Sequence, residues 1–572
     1  MRRKINMKDI FIQLNDLPDE ILIYIFKKLY NGEVLYSLMG VNQRFDRILH
    51  DTIFTRNLCL LEYCPVDDAT FPFPDAIIDR FCSKILPEIG HQIQTLFLSR
   101  TSIERVLYAT NYPNLNHLGL CDIEYKVARS LLADESPLTD MFKNQISSLF
   151  INLSDEDDLI STGAMTSAIF NEIFNGCTNL QCLKINPYLF FRDTVNDCMT
   201  HRTSICSTLL ELHVRVSRTD DCLYILDGRF DQLRKLYVTC EDIFVGSAET
   251  EHKQKLLPNL RIFSLCCKRK MFNYDGLIVP LLRRMLNLEE LDLNITVYCD
   301  KKIIDGDILK KDILIYMPQL YKFTFNICLI INHHHKIKFP SNEHIQNTFK
   351  NISTTQIITS IEHFQGKQYG RCHIYSYPYK WKIYKNLTNN FRGGLFTSVT
   401  QVSLYDERPF EYKFFLQIAQ SFPFMKELKI KNQKAQKYKQ RIKSSNNNQI
   451  LSVIEYPNLT RLDFSKIHDD YLELFLFDTN VSLPTRLHLY ADYQSLKRVT
   501  YHFTRYITRN HCAKLAALYI DSVDQIDENI KNYFPHTCIR WNSVYRLKKY
   551  KSSHTCSYRY MSATTEIILS NK

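Results

Sequence analysis

Glycine is scarce in this chain, 14 of 572 residues, about 2.4% where roughly 7% is ordinary. No Gly-x-Gly occurs, which excludes the dinucleotide fingerprint and the glycine-rich turns that cradle phosphates. Walker-type, Asp-Phe-Gly, Gly-x-Ser-x-Gly and His-Glu-x-x-His signatures are absent as well, so no familiar catalytic constellation is offered. The 18 cysteines are scattered without a Cys-x-x-Cys pair, unlike a dense disulfide scaffold, and they fit a reduced compartment, cytoplasmic and/or nuclear. No apolar run approaches the length of a membrane span, and the basic N-terminus lacks the apolar core of a signal peptide; the expectation is a soluble protein with no membrane partner. One-sided charge is missing too. Lys and Arg number 72 against 61 Asp and Glu, a net charge of +11 over the whole length, short of the dense stripe that phosphate neutralisation needs, so nucleic acid is an unlikely partner.

Hydrophobic content of 45% and charged content of 23% are ordinary, and the length corresponds to about four domain-equivalents or one extended repeat array. The first fifty residues read as a helical module. Asn15-Asp-Leu-Pro-Asp-Glu20 is a helix start with Asp16 available to cap, and Ile21, Leu22, Ile25, Phe26 and Leu29 follow at helical spacing until Asn31-Gly32 provides a stop. Shorter helices are expected over about 33–39 and 42–50. Three helices in some forty residues bury little, so the module must dock on a neighbour, a partner, or both.

The string Leu17-Pro18-x-Glu20-Ile21-Leu22-x-x-Ile25-Phe26, then Leu35-x-x-Leu38-x-x-Val41-Asn42-x-x-Phe45-x-x-Ile48-Leu49, resembles an F-box over residues 12–55. The resemblance implies an adaptor of the Skp type and, through it, a cullin-RING ubiquitin ligase. It places the adaptor face on Leu17, Pro18, Ile21, Leu22, Ile25, Leu35, Val41 and Phe45. Phe45 stands where the family commonly has tryptophan, and Asn42-Gln43-Arg44 replaces the usual cysteine before a basic residue. The alternative is that these apolar positions are only the core of a helical cap.

The remainder repeats itself. A frame apolar-x-x-apolar-x-apolar, often preceded by Pro-Asn, begins at Ile93, Leu115, Ile146, Leu180, Leu209, Leu233, Leu260, Leu288 and Leu320, and resumes at Val399, Met425, Leu459 and Leu515, with a degenerate copy near Leu487. Spacings of 22 to 34 residues in the first block centre on the period of leucine-rich repeats. Alternation within the frame gives a short strand with one face buried, and stretches such as 167–175 and 276–286 carry helical periodicity. The predicted fold is therefore α/β: a three-helix F-box-like module followed by an irregular leucine-rich-repeat solenoid of parallel strands and returning helices. The asparagine expected after each strand is mostly missing, Leu120 being followed by Cys121 and Leu265 by Cys266.

The expected division is a module at 12–55, a linker or helical cap at 56–90, repeats at 91–327, divergent repeats or an insertion at 328–395, repeats at 396–525, and a cap with a basic tail at 526–572. His333-His334-His335 and Asp155-Glu-Asp-Asp158 lack metal-ligand spacing and read as solvated loops; no metal and no cofactor is expected. The basic stretch 426–443 reads as an inter-repeat loop, and the aromatic-basic run 371–385 as a half-buried strand with His373, Tyr375, Tyr377 and Tyr379 on one face. The function expected is that of a non-catalytic substrate receptor binding an unidentified protein. The outward frame positions on the concave face, among them His117, Lys184, Tyr237, Asp292, Ser403 and Asp463, are the candidate substrate contacts. A scaffold without a ligase role and an RNA-binding repeat protein are the rival readings.

Overall fold

A computed structural model describes residues 13–542 except 65–68, 133–137, 154–168, 171, 175, 190–206, 219–224, 227–229, 243–255, 300–301, 333–339, 351, 353–355, 439–452, 478–479 and 522–528. The three histidines at 333–335, the acidic run 155–158 and most of the expected tail lie outside the described residues.

The N-terminal module consists of α1 (Asp19–Phe26), α2 (Asn31–Leu38), α3 (Gln43–Leu49) and the short α4 (Thr52–Thr55). Two local expectations are corrected. Asp16 does not cap α1; its carboxylate accepts a hydrogen bond from the Gln13 amide in the preceding turn, and Pro18 occupies the cap position. Asn31-Gly32 does not stop α1 but opens α2, because the Asn31 amide donates to the Ile53 and Asn57 carbonyls and ties α2 to the chain beyond α4. Gly32 is required there, since a Cβ would stand 2.9 Å from the Cys59 carbonyl oxygen. Asn42 caps α3 by accepting from the Phe45 amide at 2.8 Å.

A large sheet-rich α/β region follows. Its strands are β1 (Asn57–Cys59), β2 (Leu61–Cys64), β3 (Ala69–Pro72), β4 (Thr95–Ser99), β5 (His117–Ile123), β6 (Ser148–Leu153), β7 (Cys182–Leu189), β8 (Glu211–Arg218), β9 (Lys235–Asp242), β10 (Ile262–Met271), β11 (Glu290–Cys299), β12 (Lys322–Asn332), β13 (Gln356–Phe364) and β14 (Tyr369–Tyr377). Then come β15 (Ile383–Leu387), β16 (Gln401–Tyr405), β17 (Glu427–Asn432), β18 (Ile454–Glu455), β19 (Arg461–Ile467), β20 (Val481–Ser482), β21 (Leu487–Ala491), β22 (Leu515–Asp521) and β23 (Cys538–Asn542). The first sheet runs β1-β4-β5-β6-β7-β8-β9-β10-β11-β12-β14-β13, parallel from β1 to β12 and closed by the antiparallel pair β14 and β13. The second runs β15-β16-β17-β19-β21-β22-β23, parallel throughout. Helical segments such as Ile103–Leu107, Gly306–Asp312, Tyr412–Ser421 and Asp469–Leu476 return the chain between strands.

Equivalent frame positions meet in register. Leu58, Leu96, Leu118, Leu149, Leu183, Leu212, Leu236, Phe263, Leu291 and Phe323 form one buried row across the first sheet. Tyr384, Val402, Leu428, Leu462, Leu489 and Leu518 repeat it in the second. At strand entries one carbonyl accepts two amides from the next unit, as Asn116 does from Ser147 and Ser148, and Arg261 from Glu289 and Glu290. The asparagine before the frame completes this joint. Asn114, Asn179, Asn259, Asn287 and Asn458 each donate their side-chain amide to a carbonyl one unit earlier, respectively His91, Asn144, Asp231, Pro258 and Pro423, at 2.5–2.9 Å.

The module shares the first core. Leu22, Phe26, Leu35, Phe45 and Leu49 belong to the same buried cluster as Leu58 and Leu96, and α5 (Asp75–Arg80) fastens the junction as Arg80 donates to the Met39 carbonyl at 2.8 Å. Residues 56–90 are thus more than a linker: β1 is the first strand of the sheet, and β2 and β3 form an antiparallel hairpin beside it. The hairpin also reaches the second sheet, where Lys426 Nζ donates to Tyr63 Oη at 3.1 Å.

Among the described residues of 328–395 the strands between β12 and β15 are the antiparallel hairpin of β13 and β14, in place of the expected divergent repeats. Cys372 and Ile374 enter the first core, while Tyr375 on the opposite face of β14 enters the second. The aromatic-basic run is therefore packed, and on both faces rather than one. Glu362 and Arg371 form a buried ion pair at this seam, with Thr388 Oγ1 donating to Glu362 at 2.6 Å and Arg371 donating to the Asn386 carbonyl. Both Glu362 oxygens and the Arg371 Nε and Nη2 have partners, the kind of satisfaction under which a buried pair is tolerated.

These packing differences set distinct penalties. Leu291→Ala, in the middle of the buried row, is expected to lower the unfolding free energy by about 2–5 kcal/mol, whereas Asn287→Ala, which loses one exposed side-chain bond, should cost about 0.5–1.5 kcal/mol. Urea titrations followed by circular dichroism measure both, and equal losses would contradict the hierarchy.

Candidate functional site

Helix α1 begins with a cage around Arg44. Its Nε donates to Asp19 Oδ1 at 2.7 Å, its Nη1 to the Asn15 carbonyl at 2.6 Å and its Nη2 to the Leu17 carbonyl, while Arg47 reaches the other Asp19 oxygen at 3.1 Å. The Arg44 hydrogen bond holds the exposed Asp19 carboxyl below its ordinary value. This charge-assisted network fixes the 15–18 turn against α3, so Leu17 and Pro18 are presented in a defined place.

The module's apolar side chains divide sharply. Ile21 is 46% exposed and Val41 57%; Pro18 is exposed, and Leu17 and Ile25 are half-buried. Leu22, Leu35 and Phe45 are not surface residues. They are 0%, 0% and 3% exposed, and the Phe45 ring packs edge-on against Phe26 with centroids 5.7 Å apart. Their assignment to the adaptor face is corrected: alternate positions of so short a helix must supply the module's own core. The adaptor face named from the sequence leaves out Leu14, Tyr24 and Leu29, exposed by 39%, 62% and 46%. Tyr24 stands three residues after Ile21, a helical spacing that could have marked it. Residues 14–61 match a family model described as F-box-like. No curated protein matches the chain. Among solved structures, the crystal structure of the Rad7 and Elc1 complex in yeast aligns at 13% identity with a TM-score of 0.25, covering 72% of this chain and 88% of that one; a likeness at that level carries no argument. The F-box-like domain thus reaches past α4 into β1 and β2.

The second candidate surface is the strand face turned away from the core. Lys184, Tyr237 and Asp292 fall in one cross-strand row, Phe97-Gly119-Phe150-Lys184-His213-Tyr237-Ser264-Asp292-Thr324. His117 lies in the adjacent row, with Ser148, Cys182 and Glu211. Ser403 and Asp463 occupy a corresponding row in the second sheet, Ser403-Lys429-Asp463-Tyr490-Tyr519. The six candidates are therefore spread over two sheets, and most already have internal partners. Asp292 is ion-paired with Lys380 and accepts from Thr324 Oγ1; Asp463 is ion-paired with Lys429; Ser403 Oγ accepts from the Asn386 amide at 2.8 Å. At the β1 end the face is apolar, for Leu61 of the hairpin covers Cys121 and Phe150.

The most polar part is around β8. Glu211 accepts from His213 at 2.7 Å and pairs with Lys235 at 3.1 Å, and His213 stacks on Tyr237 with ring centroids 4.1 Å apart. Burial pushes the Tyr237 phenol up to about 12 and draws His213 down. Across both sheets cations sit beside carboxylates, Lys322 with Glu290 at 2.7 Å and Arg461 with Glu427 at 3.7 Å, which leaves no continuous phosphate track on these rows.

Burial pushes the Cys59 thiol up to about 12 and raises Cys121, Cys372 and Cys512 further, so these side chains are poor nucleophiles at neutral pH. Among the described residues no group of three or more His, Cys, Asp and Glu side chains is arranged to hold a metal ion, and no helix is long and apolar enough to cross a membrane.

The Glu211 carboxyl is held down to about 2 from 4.5, by the hydrogen bond with His213 and by Lys235, against the effect of its burial. A carboxyl held low in the folded state contributes stability above its ordinary range and loses that contribution as pH falls toward the folded value. Between pH 4.5 and 2 the melting temperature of the wild type is expected to drop more steeply than that of Glu211→Gln; parallel curves would show that the cluster contributes nothing.

Proposed function

We propose that this protein is the substrate-receptor subunit of a cullin-RING ubiquitin ligase. The F-box-like domain docks an adaptor of the Skp type through Pro18, Ile21 and Val41, with Leu17 and Ile25 at the edge. The observation that carries this reading is that Ile21, Tyr24, Leu29 and Val41 are exposed apolar side chains on an F-box-like module whose own core is closed, since exposed apolar surface marks interaction sites. The sheets are read as an irregular leucine-rich-repeat solenoid, supported by unit-by-unit register and by the asparagine joints, and their outward face holds a protein substrate. The chain binds and does not catalyse, needs no cofactor, and acts in the cytoplasm, the nucleus or both. By holding substrate and ligase together it raises their effective concentration, which is how a receptor without catalytic groups accelerates transfer.

Purified adaptor decides the matter. Wild-type protein should capture it, and Ile21→Asp with Val41→Asp should weaken capture by about tenfold or more, because two charges would be desolvated at the contact, without changing the melting temperature. Failure of the wild type to bind, or undiminished binding by the double variant, refutes the proposal. Leu22→Asp is unsuitable as the test, because it buries a charge in the module's core and unfolds it.

A further inference from the structure

On the outward rows many cations sit beside carboxylates, as Lys322 does beside Glu290 and Arg461 beside Glu427, but not at the C-terminal ends of β16, β17 and β19. There the register sets Tyr405 beside Lys431, and Lys431 beside Lys466. Lys367, from the turn between β13 and β14, places its Nζ 4.1 Å from the centre of the Tyr405 ring. All three lysines are exposed, and among the described residues none forms an ion pair. Like charges on facing strand positions are destabilising, and burial together with Lys466 and Lys367 draws the Lys431 ammonium below its ordinary value. The carboxylates at the margin are already engaged: Glu407 accepts from the Gly366 amide at 3.0 Å, and Asp463 is ion-paired with Lys429. The sequence that follows does not supply a counter-charge, for residues 439–452 include Lys439, Arg441 and Lys443 but neither Asp nor Glu.

We propose that this corner, Lys367, Lys431 and Lys466 around Tyr405, binds an acidic, extended segment of a partner protein. Adjacent strands stand about 4.8 Å apart, so carboxylates on neighbouring residues of such a segment reach both Lys431 and Lys466, while Tyr405 flanks Lys431 on the other side with Lys367 over its ring. Protein is favoured over nucleic acid by the immediate surroundings. One row back the face carries Asp463, and two rows back Glu427, which a short acidic stretch avoids and a continuing phosphate backbone would meet. The assignment rests on the reading of the outward face as the partner-binding surface but not on adaptor docking.

The test uses the full chain and fluorescence anisotropy with three labelled probes: a short Asp/Glu-rich peptide, its Asn/Gln counterpart, and a single-stranded DNA of matched length. The acidic peptide should bind saturably, about tenfold or more tighter than the neutral one, and weaken as salt rises from about 50 to about 300 mM. Lys431→Gln with Lys466→Gln should cost the acidic peptide about tenfold in affinity, while Lys437→Gln stays within about twofold of wild type. The melting temperature of the double variant should hold or rise as the repulsion is relieved. If that variant loses its cooperative melt, Lys431→Arg with Lys466→Arg is substituted and should retain binding because it keeps the charge. No saturable peptide binding, wild-type affinity in the double glutamine variant, loss of binding in the arginine variant with its melt intact, or tighter binding of DNA than of peptide would each overturn the proposal. Adaptor capture by the same proteins is measured alongside; it should not change, so a failure here is distinguishable from a failure of the ligase reading.

Discussion

The structure depends on keeping one inward side chain per strand in register with the next. Leu96, Leu118, Leu149, Leu183, Leu212 and Leu236 meet in a line, and a slip of a single residue on any strand would turn its apolar set to the outward face. Backbone bonds within a parallel pair do not prevent such a slip by themselves. The strand entries do, because a shared carbonyl and an asparagine side chain fix where each strand begins. Returning segments can then vary in length and helical content without disturbing the sheet.

This constraint explains what was legible in the sequence. The frame is a direct imprint of the buried row, so the strands holding Leu118, Leu183, Leu236, Phe263 and Leu291 could be placed from spacing alone, the frame's first leucines, Leu115, Leu180, Leu233, Leu260 and Leu288, each standing two residues before its strand. The Pro-Asn pairs were visible as a pattern, but their purpose was not, since the carbonyl each asparagine reaches lies 23 to 35 residues earlier. The run 371–385 reads as one-faced because alternation normally separates a wet face from a dry one. Here both faces of β14 are dry over 371–376, and the polar members Arg371 and His373 are held by Glu362 across the hairpin and by Asn326, 47 residues earlier.

The candidate surfaces were legible to a lesser degree. A family motif names positions without separating those that build the module from those that face outward. Leu22 and Ile21 are adjacent in the motif, yet only geometry shows that one lies at 0% and the other at 46% exposure. Likewise the outward frame positions were identifiable, but not their partners. Lys380 over Asp292 comes from beyond the hairpin, and the pairing of Lys431 with Lys466 follows a register shift between β17 and β19 that no spacing rule anticipates.

The contact between Tyr63 and Lys426 spans 363 residues. At a synthesis rate of roughly 5–20 residues per second, Lys426 is made about 20–70 s after Tyr63. The hairpin that carries Tyr63 must spend that interval anchored only by the first units, while strand after strand is added beside it. Birth order and spatial order therefore coincide along each parallel run, and the hairpin meets the second sheet only after every strand of the first has been made, with β19 to β23 still to follow.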